Sequence, residues 1–202
     1  MPTRLLYHTD AYLRDFTARV MAVEGSAVAL DATAFYPGGG GQMADRGVLR
    51  WDGVDHPVVA LVKRDSIVWH TVEGDPPAVG MVVSGEIDWD FRYQMMRTHT
   101  ALHILCGTIF REFGAQVTGG QMYPDRARMD FALGRFDNTM LRTLEEHIND
   151  AVCDDLPIKV YMLPRAEAFK IPDLIRTKVN LLPPEISEIR IVEIVGLDLQ
   201  AD

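Results

Sequence analysis

His99 and His103 stand four positions apart in the run Arg97-Thr-His-Thr-Ala-Leu-His103. On a helix that spacing stacks two side chains on one face, one turn apart. Two imidazoles so placed can share one Zn²⁺ through ring nitrogens at about 2.0–2.1 Å. The same pair can instead be two histidines satisfied by hydrogen bonds on a half-buried face, and spacing alone leaves both readings open. Thr100 stands where a His-Glu-x-x-His protease helix carries its general base, which excludes that chemistry. Two histidines also fall short of the three or four protein ligands that zinc takes, so further donors must come from elsewhere in the chain.

A second candidate is Thr33-Ala-Phe-Tyr-Pro-Gly-Gly-Gly-Gly-Gln-Met-Ala-Asp45. Four consecutive glycines free the backbone to take positive φ and to approach a ligand closely. Gln42 then offers both a donor and an acceptor. No Gly-Lys-Ser/Thr follows, so the loop is not a P-loop. It reads either as a tight turn between strands or as a binding loop in which Thr33, Gly40, Gly41 and Gln42 meet a substrate. Gly40-Gly41-Gln42 also matches the tripeptide with which peptide-chain release factors hydrolyse peptidyl-tRNA, which gives an alternative reading as a hydrolase of that kind.

These residues must be held by elements that the pattern also suggests. Residues 1–89 read as a β domain, with strands at 16–23, 27–30, 58–62, 67–72 and 81–87 separated by Glu24-Gly-Ser26, Asp52-Gly53 and Glu73-Gly-Asp-Pro-Pro77. So many short strands suggest a small barrel. From residue 90 the texture changes to α+β. Helical spacing covers 91–113 with Gly114 as its stop, and Arg126–Leu133 alternates like a strand. Asp137 is placed to cap a helix whose buried stripe would be Leu141, Leu144, Ile148 and Val152. Residues 158–163 and 189–195 read as further strands.

With 48% apolar and 24% charged residues the composition is that of a globular chain, which excludes disordered and collagen-like classes. Cys106 and Cys153 form no Cys-x-x-Cys pair, so neither a disulfide framework nor a cysteine zinc knuckle is signalled. No run approaches the roughly 20 apolar residues of a membrane span, and the N-terminus does not read as a secretory signal. The expectation is a cytoplasmic protein. A net charge of −9 argues against non-specific attraction to nucleic acid and leaves only local groups of cations such as Arg126, Arg128 and Arg135.

Taken together, three segments resemble the alanyl-tRNA editing proteins, relatives of the editing domains of alanyl- and threonyl-tRNA synthetases. They are Thr33–Gln42 with Asp45-Arg-Gly47, then Arg97–His103, then Val192-Glu-Ile-Val-Gly-Leu-Asp-Leu-Gln-Ala201. The resemblance implies an α+β chain: a translation-factor-like N-terminal barrel followed by a synthetase-type editing domain. It implies a zinc-dependent hydrolase acting on tRNA(Ala) mischarged with serine or glycine. Zinc in that family is held by His-x-x-x-His and a later Cys-x-x-x-His. Asp202 falls where the cysteine would sit and is chemically able to ligate zinc. The fourth ligand is then expected beyond Asp202, in a domain cut short at its C-terminus. Gln116–Gln121 aligns with the region that recognises the amino acid, where Thr118 would bond a serine hydroxyl and Gly119 and Gly120 would leave room for it. Plain turn geometry accounts for that segment equally well. A non-catalytic tRNA-binding module is the second functional class compatible with these residues.

Overall fold

Small and β-branched side chains alternate through the first ninety residues, and Gly- and Asp-containing turns cut the alternation into short pieces. The computed structural model describes residues 1–135, 137–180 and 182–202. It divides into two compact units, 1–97 with 122–126 and 98–121 with 127–202.

In the first unit, β1 (Arg4–Leu5) leads to a short 3-10 turn at Leu6–His8. Then come β2 (Asp15–Glu24), β3 (Ala27–Leu30), β4 (Ala32–Thr33), β5 (Gly47–Trp51), β6 (Val54–Arg64), β7 (Ile67–Val72) and β8 (Val82–Ile87). Among the described residues, β2, β3, β7, β6, β5 and β8 close in that order into a barrel, while β1 pairs with β4 in parallel. Alternation explains the interior. Phe16, Ala18 and Val20 of β2 point inward with Val28, Leu30, Leu49, Val68 and Val83, and Phe35 fills the centre. β5 was absent from the sequence expectations because Arg50 interrupts a run of only five residues. Leu49 and Trp51 on either side of it are nevertheless buried. Asp52 and Gly53, both at positive φ, form the two-residue turn that reverses β5 into β6.

Helix α1 (Trp89–Phe113) follows, its first turn capped by Asp88 Oδ1, which accepts the Phe91 N–H at 3.1 Å. It stops at Gly114, which adopts φ +65° and donates to Phe110 O. Residues 98–113 of the helix belong to the second unit, with β9 (Val117–Met122), β10 (Ala127–Phe131), α2 (Asn138–Cys153), β11 (Ile158–Pro164), α3 (Arg165–Ala168), β12 (Glu188–Ile194) and β13 (Asp198–Ala201). Strands β9 and β10 pair as a ribbon, and β11-β12-β13 form an antiparallel sheet. One face of that sheet buries Ile189 and Ile191 with Ala168 and Leu174, and Tyr161, Leu163, Leu199 and Ala201 join them. The other face carries Arg190, Val192, Asp198 and Gln200 by the same alternation.

Asp137 caps α2 as expected, accepting the Thr139 and Met140 N–H groups at 2.9 Å each. The expected buried stripe of α2 is shorter than the pattern suggested. Leu144 is buried against Ile109 and Ala115, whereas Leu141 and Val152 are more than half exposed. The cover over α2 consists of Ile109 and Ala115 with Leu105, Phe113, Phe131 and Leu133, too few to bury all four turns of the helix. Among the described residues no helix is long and apolar enough to cross a membrane.

Candidate functional site

In the first unit the glycine loop is a closed hairpin. Gly39 and Gln42 exchange backbone hydrogen bonds at 3.1 and 2.9 Å, so Gly40 and Gly41 are the central pair of a two-residue turn. Both have positive φ, +58° and +85°, which an L side chain resists. The base of the hairpin is locked by Asp45. Its backbone N–H donates to Tyr36 O and its Oδ2 accepts the Tyr36 N–H at 2.6 Å. Arg92 makes a fork onto the same carboxylate, with Nε 2.9 Å from Oδ1, and also donates to Ala34 O and Ala11 O. Both partners are almost fully buried, so removing one alone would cost about 3–5 kcal/mol. Gly41 O in turn accepts the Met122 N–H at 2.8 Å.

Thr33 lies inside the barrel. Its hydroxyl accepts the Phe35 N–H at 3.1 Å and sits 2.8 Å from His70 Nε2. The Val28 carbonyl 3.1 Å from His70 Nδ1 can only accept. Nδ1 therefore carries the proton, and Nε2 receives the Thr33 hydroxyl. Burial pushes the His70 imidazole down to about 4, keeping it neutral.

In the second unit α1 presents His99 and His103 side by side, ring centroids 5.0 Å apart. Asp202, next after β13, brings Oδ1 to 3.2 Å from His99 Nε2 and 3.8 Å from His103 Nε2. The three ligand atoms lie within 4.8 Å of one another. Tetrahedral zinc with ligands at 2.0–2.1 Å needs about 3.3 Å between donors, close to the 3.2 and 3.8 Å from Asp202 Oδ1 to the two imidazole nitrogens, so the donor set suits a divalent cation. Asp202 Oδ2 is held by Arg190 Nη1, and the Asp202 N–H continues the ladder to Arg190 O.

The sequence reading singled out neither Asp198 nor Gln200. Asp198 Oδ2 lies 3.0 Å from His103 Nδ1 and accepts Gln200 Nε2–H at 2.6 Å. Arg176 Nε stands 3.6 Å from its Oδ1, and the guanidinium lies over the Phe110 ring at 3.8 Å. The signal was present as period-two spacing. Asp198, Gln200 and Asp202 share one strand face, as His99, His103 and Gly107 share one helix face. Burial alone would lower the His103 pKa, but the carboxylates of Asp198 and Asp202 outweigh it and push it up to about 9. For Asp202 burial acts upward, and the two histidines overcome it and hold the carboxyl well below its usual range. Cys106, on the next turn, is buried, and desolvation with the nearby Asp198 charge raises its thiol to about 11.

Residues 117–121 of the segment expected from the sequence to recognise the amino acid lie in strand β9. Thr118 and Gly120 of β9 share its exposed face, and Gly119 faces Asp130 Oδ2. Backbone bonds from Val117 N–H to Arg176 O and from Lys178 N–H to Val117 O tie this strand to the segment that carries Arg176.

A family model described as tRNA synthetases class II (A) matches residues 9–91. The alanyl-tRNA editing protein AlaX-M of Saccharolobus solfataricus is 42% identical over 203 residues, covering 99% of this chain and 85% of its own. AlaX-M of Methanosarcina mazei is 39% identical, with 98% and 83% covered. An alanine–tRNA ligase of Pyrobaculum neutrophilum is 40% identical over 95% of this chain, which corresponds to 22% of the ligase. Identity at this level over nearly the whole length makes the chain a member of the alanyl-tRNA editing protein family.

Proposed function

We propose that the protein is a trans-acting hydrolase that removes serine or glycine from mischarged tRNA(Ala) in the cytoplasm, at a zinc site made by His99, His103 and Asp202. The observation that supports it most is the gathering of three ligand atoms, two from α1 and one beside β13, in a member of this family. Three is the protein-ligand number of catalytic zinc sites. Zinc, when bound, supplies a positive centre able to polarise an ester carbonyl or to hold the terminal ribose. The chain's own groups do the rest. Thr118 offers a hydroxyl partner to a serine side chain, and Gly119 and Gly120 keep the strand around it narrow. A site that takes serine over alanine has to reward the hydroxyl, because size alone favours the smaller residue. Gly40, Gly41 and Gln42 form a tRNA-facing loop in this reading, and Thr33 serves it by anchoring the strand from which it leaves. The division of labour follows the domains: a translation-factor-like barrel, 1–89, presents the loop, and residues 90–202 carry the hydrolytic centre.

The test is deacylation of Ser-tRNA(Ala) by metal-stripped protein with and without added Zn²⁺. Zinc is expected to restore turnover, and His99→Ala with His103→Ala is expected to bring it to the uncatalysed rate. Undiminished turnover in the double variant would remove the metal from the reaction. Tight tRNA binding without turnover at any zinc level would leave a binding module instead.

A further inference from the structure

Asp198 is the most completely enclosed carboxylate beside the histidine pair, its side chain 0% exposed. A buried carboxylate is expensive unless several groups converge on it, and here they come from three directions. Gln200 donates from its own strand, Arg176 approaches the other oxygen, and His103 Nδ1 lies at 3.0 Å. Helix α1 makes room for it, since a Cβ at Gly107 would stand 2.7 Å from Asp198 Cβ and 3.0 Å from Leu197 O. Gln200 Nε2 also lies 3.0 Å from His103 Nδ1. The ionised Asp198 Oδ2 can only accept, so His103 Nδ1–H and Gln200 Nε2–H both donate to it, and the Gln200–His103 approach is not itself a hydrogen bond. In the neutral ring that a metal requires, a proton kept on Nδ1 leaves the lone pair on Nε2, the nitrogen that faces Asp202.

We propose that Asp198 is the positioning residue of the metal centre: it fixes His103 as the Nδ1–H tautomer and aims Nε2 at the cation, while Gln200, Arg176 and the Gly107 gap hold Asp198 in place. The proposal rests on the zinc reading above and adds what sets its ligand geometry. A carboxylate behind a ligating histidine raises its basicity and fixes its ring, and loss of such a partner typically costs 10–100-fold in metal affinity.

The experiment uses the full chain with Co²⁺ followed by its visible absorption, and with Zn²⁺ against a chromophoric chelator. Asp198→Ala is expected to weaken both about 10–100-fold. Asp198→Asn, which keeps the volume, is expected to weaken them less and serves where the alanine variant does not fold. On unsubstituted zinc-loaded protein, long-range ¹⁵N–¹H correlation is expected to show the His103 proton on Nδ1. Wild-type affinity in both folded Asp198 variants, or a proton on Nε2 with Nδ1 bound to metal, overturns the proposal. His103→Ala separates the two layers. If that variant binds Co²⁺ as tightly as wild type, the zinc reading itself has failed. If it loses the ion while the Asp198 variants keep it, only the positioning role has.

Discussion

His70 shows how a residue far from any proposed chemistry can govern the glycine loop. Its neutral ring is the acceptor for Thr33, and Thr33 in turn holds the Phe35 N–H at the start of the loop strand. The unfolded chain has this imidazole at its ordinary 6.5, and the folded one at about 4. Between those values the unfolded state binds the additional proton, so stability is full above pH 6.5 and falls as pH drops toward 4. The shift corresponds to about 3 kcal/mol by pH 4. Urea unfolding from pH 7.5 to 4 is expected to show that slope, and His70→Asn is expected to flatten it. A slope unchanged by the substitution would assign the loss to other groups. The sequence offered Thr33 as a substrate-binding residue of the glycine loop, and the structure buries its side chain completely. Its partner was not legible, because nothing in the spacing of Thr33 and His70 reveals that β4 and β7 meet inside a barrel.

At the level of elements, the candidate centre is one helix face meeting one strand face. Gly107 shows how close they come. In an exposed helix, Gly→Ala would gain about 1 kcal/mol. At 107 the new methyl would meet backbone and Cβ atoms at 3.0 and 2.7 Å, which cannot swing aside as a side-chain tip can. Gly107→Ala is therefore expected to lower the thermal midpoint, by 4 °C or more on the scale of about 1 kcal/mol in a domain this size, and to weaken Co²⁺ binding with it. A raised midpoint would mean that the helix and strand are not in contact here. The helix itself was readable from its 3.6-residue periodicity and its C-terminal end from Gly114, whereas its start, expected at residue 91, lies at Trp89. β13 was not readable. Asp198, Gln200 and Asp202 alternate with Leu199 and Ala201, yet a four-residue strand with a polar inner face reads like a loop until a helix is placed over it. The α2 stripe erred in the opposite sense, because periodicity reports which residues can share a face and not how much of that face finds a partner.

For the molecule as a whole, charge is the constraint on the proposed RNA partner. At −9 the chain repels a polyanion at long range, so binding has to come from a few local contacts. The affinity for tRNA is then expected to fall only shallowly with salt, with a log–log slope corresponding to roughly two or three neutralised phosphates. A slope several times steeper, measured by filter binding across a salt series, would point to a larger basic surface than the two units display. The cysteines have a further use at this scale. Cys153 is exposed at the end of α2, whereas Cys106 is sealed beneath Asp198 and Gln200 with its thiol at about 11. Electrophiles need the thiolate, so a maleimide dye at neutral pH marks one address on the native chain. The protein arrives with a single-colour tag point outside its candidate centre, and a second, latent one that reacts only when α1 and β13 part.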